Sequence, residues 1–236
     1  MSLEPSTIYR GQSVDEPLLP KVARQYSSIN SSVHEKTFLS EFRRRAHAFV
    51  AANSMDDWQL MVLAQHNGAP TRLLDWTSSP LTALWFALLG VARDDLRTPV
   101  VWALKATSSD YLSDKDMLKT PFELACTKLL RPDHVTARVA AQSGLFSVHK
   151  YWDKGGKYVA LEDQSDFSKR LTKFSVKAGR APFLFAELNR LGFNFASVFP
   201  DIWGLCKHLE ARYEDVMNTQ YISSIYNLKL DEHLKP

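Results

Sequence analysis

The residues best able to do chemistry crowd into one stretch, residues 64–87 (AQHNGAPTRLLDWTSSPLTALWFA). Gln65, His66, Thr71, Arg72, Asp75, Thr77 and Ser78 stand there between two apolar segments. Short polar loops held by rigid elements are where binding and catalytic groups concentrate. His66 and His149 offer general bases, and a His at a helix end beside Gly also serves as a hydrogen-bonded structural residue. Asp75 can act as a catalytic carboxylate, or accept N–H bonds at a turn and pair with Arg72 or Arg10. Arg10 lies outside the stretch, on a short Ile-Tyr-Arg-Gly-Gln run. A guanidinium fork beside a glycine suits a phosphate or carboxylate, a bond contributing about 1.5–3 kcal/mol. The alternative is a buried Arg–Asp pair tying that strand to the central loop.

The elements that must position these groups follow from periodicity and punctuation. Ile8-Tyr9 favours a strand, with residues 1–8 a loose arm leading into it. Phe38, Phe42, Ala46 and Phe49 give a helix over Glu35–Ala52, and Arg43, Arg44 and Arg45 around it read as a solvated face or a nucleic-acid contact. A second helix starts after Asp56 or Asp57 and ends at Asn67-Gly68. Arg72–Trp76 reads as a short, mostly buried strand. Thr77-Ser78-Ser79-Pro80 opens a core helix over 80–92 bearing Leu81, Leu84, Trp85, Leu88 and Leu89. The N–H groups at its start point toward the Asp75–Ser79 loop.

Farther on, 99–104 is a buried strand, and Thr120-Pro121-Phe122-Glu123 opens a helix that includes Cys126. Val135–Ala141, Leu145–His149 and Leu171–Lys177 read as strands, with a turn at 154–157. Pro182–Leu191 is a helix stopped by Gly192, and Pro200-Asp201 caps a helix carrying Ile202, Leu205, Cys206, Leu209 and Tyr213.

The chain has 236 residues, 45% of them hydrophobic and 23% charged, with a formal net charge of +3. Those values are ordinary for a globular protein, and the run of elements, with no internal repeat or clear linker, gives one α+β domain with a mixed or antiparallel sheet and flanking helices. The core spans about 8–213, with a peripheral tail at 218–236. The small net charge gives no general reason for a nucleic-acid or membrane partner. Cys126 and Cys206 are widely spaced and read as buried free thiols of a reducing compartment. No long apolar run or signal-type leader is visible, so a cytoplasmic, non-membrane protein is expected. No phosphate-binding P-loop, HExxH, paired CxxC or GxSxG occurs, and no metal set is expected.

Four ordered segments resemble the FRG domain family, named for an aromatic-Arg-Gly tripeptide: Tyr9-Arg10-Gly11, residues 64–87, Arg138–Phe146 (RVAAQSGLF) and Phe199-Pro200-Asp201. A weaker similarity is to arginine-type ADP-ribosyltransferases, and it implies a split sheet and NAD as substrate. On that resemblance Arg10 and Gly11 hold the NAD pyrophosphate or ribose, Thr77 and Ser78 shape a nicotinamide pocket, and Gln142 meets the scissile ribose. In a binding reading without chemistry, Arg10, Arg72 and the N-terminus of helix 80–92 cradle a phosphate. The family's catalytic Glu is replaced by the neutral Gln142, which supplies no negative charge and no general base. Glu162 or Asp75 would have to substitute.

Three functions therefore stand open. The chain is an ADP-ribosyltransferase-like toxin or phage-defence effector, acting on a protein or nucleic-acid acceptor. It is a nucleotide- or nucleic-acid-binding module without chemistry. Or it is a structural domain in which Arg10, Arg72 and Asp75 form a buried network.

Overall fold

The computed structural model describes residues 6–26, 30–50, 54–91, 97–132, 141–152, 155–177 and 179–213. Its chain order is β1 (Ser6–Gln12), α1 (Lys21–Gln25), α2 (Ser31–Ala46), α3 (Asp57–His66), β2 (Leu73–Thr77), α4 (Pro80–Leu88) and β3 (Val100–Ala106). There follow α5 (Asp114–Met117), β4 (Lys128–Leu130), β5 (Gly144–Val148), β6 (Tyr151–Trp152), β7 (Lys157–Tyr158), α6 (Ser165–Ser168), β8 (Leu171–Ser175), α7 (Ala181–Arg190) and α8 (Phe195–Val198). The last described helix, α9, covers 202–213. The fold is a single α+β domain.

Six strands form one sheet in the order β4-β5-β2-β1-β3-β8, and every pairing in it is antiparallel. β1 pairs with β3 along seven residues, and β2 with β5 along five. Between β1 and β2 the register holds only Tyr9 opposite Thr77. The sheet is thus continuous in order but forks at its centre, between two well-paired halves.

Period-two alternation sends Ile8, Leu74, Trp76, Val100, Trp102, Leu104 and Leu145 to one face, where Leu18, Leu161 and Phe167 cover them. On the other face α4 lies over Tyr9 and Val101 through Ala83 and Ala87. α2 and α3 cover Leu73, Leu130, Phe146 and Val148. The far side of α4 presents Trp85 and Leu88 to α7 and to Phe195 and Phe199. Leu81, read above as core, lies at the surface.

Gly11 is fixed by that packing. A Cβ there would stand 1.8 Å from the Ala83 carbonyl oxygen and 2.7 Å from the Ala87 nitrogen, so strand and helix touch backbone to backbone. The Arg-Gly pair therefore has two separate causes, since Arg10 alternates to the opposite face.

Several sequence expectations need correction. β1 begins at Ser6, inside the supposed arm. α2 starts at Ser31 and stops at Ala46, leaving Phe49 87% exposed instead of on a core face. Thr120 and Glu123 do form a capping box, but it closes a single 3-10 turn; Cys126 follows in irregular chain before the short strand β4. Neither cysteine is buried, because Cys126 is partly exposed and Cys206 sits on an exposed side of α9. The strand expected at Val135–Ala141 falls largely outside the described residues, as does the tail from 214 onward. The basic triplet, by contrast, does lie on a solvated face: Arg44 and Arg45 are exposed and both reach Glu41, and Arg43, partly buried, bonds the Met55 carbonyl and Asp57.

Candidate functional site

A cleft of about 520 Å³ opens at the sheet's fork. Its volume falls within the roughly 300–1,000 Å³ of ordinary ligand sites. One wall is β1 and the loop after it, through Tyr9, Arg10, Gly11, Gln12 and Glu16. The opposite wall carries Gln65 and His66 from the end of α3, and Asp75, Trp76 and Thr77 from β2. Ala83 and Phe86 of α4, Phe199 and Gln142 close one end, and Arg24 stands at the other. Polar groups thus converge beside an aromatic wall.

β1 delivers Arg10 into the gap where pairing with β2 stops. Arg10 Nη1 donates to the Asp75 carbonyl at 2.8 Å, replacing the ladder bond that the diverging strands no longer make. The Asp75 carboxylate lies 3.7 Å from the same nitrogen, a contact too long for a hydrogen bond. The Arg10 side chain is 14% exposed and that of Asp75 60%. Arg10 Nε and, two residues along the same face, Gln12 Oε1 are buried without hydrogen-bond partners. Burial lowers the Arg10 pKa from its ordinary value; Asp75 opposes this, and the neighbouring charge of Arg24 adds to it. The cation is under-compensated, which favours an anion close by.

Asp75 is held from the α3 side. Gln65 Nε2 donates to Asp75 Oδ2 at 3.1 Å, and the Thr71 hydroxyl donates to Gln65 Oε1 at 2.7 Å. α3 reaches this point because Asp56 and Gln59 cap its start reciprocally.

Thr77 and Gln142 meet at the closed end. The Thr77 hydroxyl donates to the Gln142 carbonyl and accepts the Ser79 N–H. Ser78 N–H donates to the Ser143 carbonyl at 3.1 Å. These bonds hold a turn in which Ser143 takes φ 47°, an uncommon value for a residue with a Cβ. The Gln142 amide is engaged as well, Nε2 donating to the Val198 carbonyl at 3.2 Å.

Of the sequence-derived site residues, Arg10, Gly11, His66, Asp75, Thr77 and Gln142 come together on this cleft. Ser78 does not line it: its side chain is exposed beside the turn. Arg72 is also elsewhere, 1% exposed and paired with Glu35. Asp75 therefore faces Arg10 and not Arg72. Ser79 caps α4 by accepting the Thr82 N–H, so the helix start is closed by its own side chain. His149 is wholly buried, with Nε2 3.2 Å from Ser147 Oγ, which also accepts the Trp76 indole N–H. Glu162 receives the Leu18 N–H and is absent from the cleft wall. Gln65, singled out in the central stretch, also lies on the wall, whereas Glu16 and Gln12 carried no such signal; only the three-dimensional fork brings Glu16 and Arg24 to it, where they pair at 3.2 Å.

Among the described residues, no group of three or more His, Cys, Asp or Glu is placed to hold a metal ion. None of their helices is long and apolar enough to cross a membrane.

Fold and site define a single α+β domain with a polar cleft at the fork of an antiparallel sheet. Within it, residues 5–95 match the model of the FRG domain. That match contains the whole β1-to-α4 unit, including both walls that flank Arg10. No curated protein and no solved structure matches the chain.

Proposed function

We propose that the cleft is a nucleotide site and that NAD, taken as substrate, is its ligand. The observation that supports this best is Arg10. It is a nearly buried cation with an unpartnered Nε, a carboxylate held off at 3.7 Å, and open cleft beside it. A diphosphate would complete that environment through charge-assisted bonds. The aromatic end, with Tyr9, Phe86 and Phe199, suits a planar ring.

Transfer of ADP-ribose from such a ligand breaks the bond between ribose C1′ and the nicotinamide nitrogen, and needs negative charge near the cationic sugar. Gln142 provides none, and its amide is already committed to Val198. The carboxylates on the wall are Asp75 and Glu16, and Asp75 is the more exposed and not the one paired with Arg24. We assign it the role that Gln142 lacks, with a protein or nucleic-acid acceptor. Such an activity would fit a cytoplasmic toxin or defence effector that consumes NAD. The bound state of Gln142 favours a second reading, in which the nucleotide is held without chemistry.

The test is thermal stability with and without millimolar NAD, for wild type and Arg10→Ala, with an assay for nicotinamide. A ligand at about a hundred times its Kd adds roughly 2.7 kcal/mol. A shift in wild type that vanishes in the folded variant is expected; no shift in wild type would overturn the NAD reading. Nicotinamide release separates the enzyme from the binder.

A further inference from the structure

Thr71, Gln65 and Asp75 form a directional chain that ends in the cleft. The Thr71 hydroxyl is buried and accepts the Leu73 N–H at 3.1 Å, which leaves its own proton for Gln65 Oε1 at 2.7 Å. Gln65 Nε2 is then turned to Asp75 Oδ2 at 3.1 Å. The reverse orientation of the amide would face its oxygen to a carboxylate, two acceptors with no proton between them. Only one arrangement of the three groups satisfies every member.

The consequence falls on Asp75. One carboxylate oxygen is pinned from the α3 side, while the side chain stays 60% exposed beside Arg10. A fixed carboxylate has its remaining lone pairs available to donors, and a ribose diol is a donor pair of the right kind next to an anion-seeking arginine. We infer that Gln65 and Thr71 are positioning residues that hold the Asp75 carboxylate as the acceptor for a ribose hydroxyl of the bound nucleotide. This rests on the nucleotide reading above.

Two probes separate the roles: NAD, which carries ribose hydroxyls, and inorganic diphosphate, which carries none. Gln65→Met and Asp75→Asn should each weaken NAD about three- to tenfold, the size expected for one hydrogen bond; neither should weaken diphosphate, and Asp75→Asn, which removes a carboxylate 3.7 Å from Arg10, should bind it at least as well as wild type. The double variant should be no worse than Asp75→Asn alone, because the two act through one contact. Thr71→Ser should retain NAD affinity and Thr71→Val lose it. Equal losses for both probes, or additive losses in the double variant, would overturn the inference.

A readout independent of NAD is the NMR signal of the Gln65 side-chain amide. It should move on Asp75→Asn and on Thr71→Val but hold in Thr71→Ser. If wild type fails to bind NAD while these shifts appear, the ligand reading falls and the chain of bonds stands. If the amide signal ignores both substitutions, the positioning role is overturned whatever the ligand.

Discussion

Two arginines from the two halves of the family match have opposite surroundings. Arg72 is closed on all sides: Nε reaches Glu35 at 2.9 Å, Nη1 the Pro121 carbonyl and Nη2 the Ser32 hydroxyl, with Phe122 stacked 4.4 Å from the guanidinium. Glu35 in turn accepts the Arg72 backbone N–H and the Tyr158 hydroxyl, and burial together with Glu35 pushes the Tyr158 pKa up. Arg10 has one side-chain hydrogen bond, an unpartnered Nε and a cleft. A cation whose donors are met inside the protein holds structure together. One left short calls for a further partner, whether water, an ion or a ligand.

The largest expected effect follows from breaking the closed site. Glu35→Ala leaves a buried guanidinium without its counter-charge and should cost about 3–5 kcal/mol in urea unfolding. The paired replacement Glu35→Met with Arg72→Met should recover much of that loss, since an ion pair removed whole is far cheaper than one removed by half. If the single variant were as stable as wild type, the contrast between the two arginines would fail.

His149 feels the charge of both arginines. Burial, followed by the charges of Arg10 and Arg72, lowers its pKa to about 3. The unfolded chain takes up a proton near pH 6.5 that the native state refuses until about pH 3. Stability from this group is therefore full above pH 6.5 and falls as the pH drops, by up to about 1.4 kcal/mol per unit. The difference in unfolding free energy between wild type and His149→Gln should change with that slope between pH 6 and 5. A constant difference would show that His149 is protonated in the fold.

The smallest effect on stability is expected at the open site. Arg10→Met should change unfolding free energy by about 1 kcal/mol or less, as for a single modest hydrogen bond, while abolishing the stabilisation by ligand. A loss as large as that of Glu35→Ala would move Arg10 into the structural class.

Much of this was readable in the chain. β1, β2 and α4 followed from the Ile-Tyr run, the apolar Leu73-Leu74 and the Ser79-Pro80 start, because each signal is local. So did the joint presence of Arg10, Asp75, Thr77 and Gln142 in one motif set. What stayed hidden depends on distance. Glu35 lies 37 residues before Arg72, and nothing in a helical pattern marks it as a buried partner. The Thr120 box misled because a capping box specifies how a turn starts and not how many turns follow. The glycine after Arg10 suggested steric room for a ligand, whereas the room is filled by the backbone of α4.

That last contact decides how the cleft can breathe. With the Ala83 carbonyl seated against Gly11, no side chain lies between helix and strand at that point to be compressed or rotated. β1 and α4 form a single stiff jaw. The other jaw, β2 with the end of α3, joins it in the ladder through one residue pair, Tyr9 with Thr77. Any relative movement of the two jaws falls to the second, about the pair that carries the hydroxyl of Thr77.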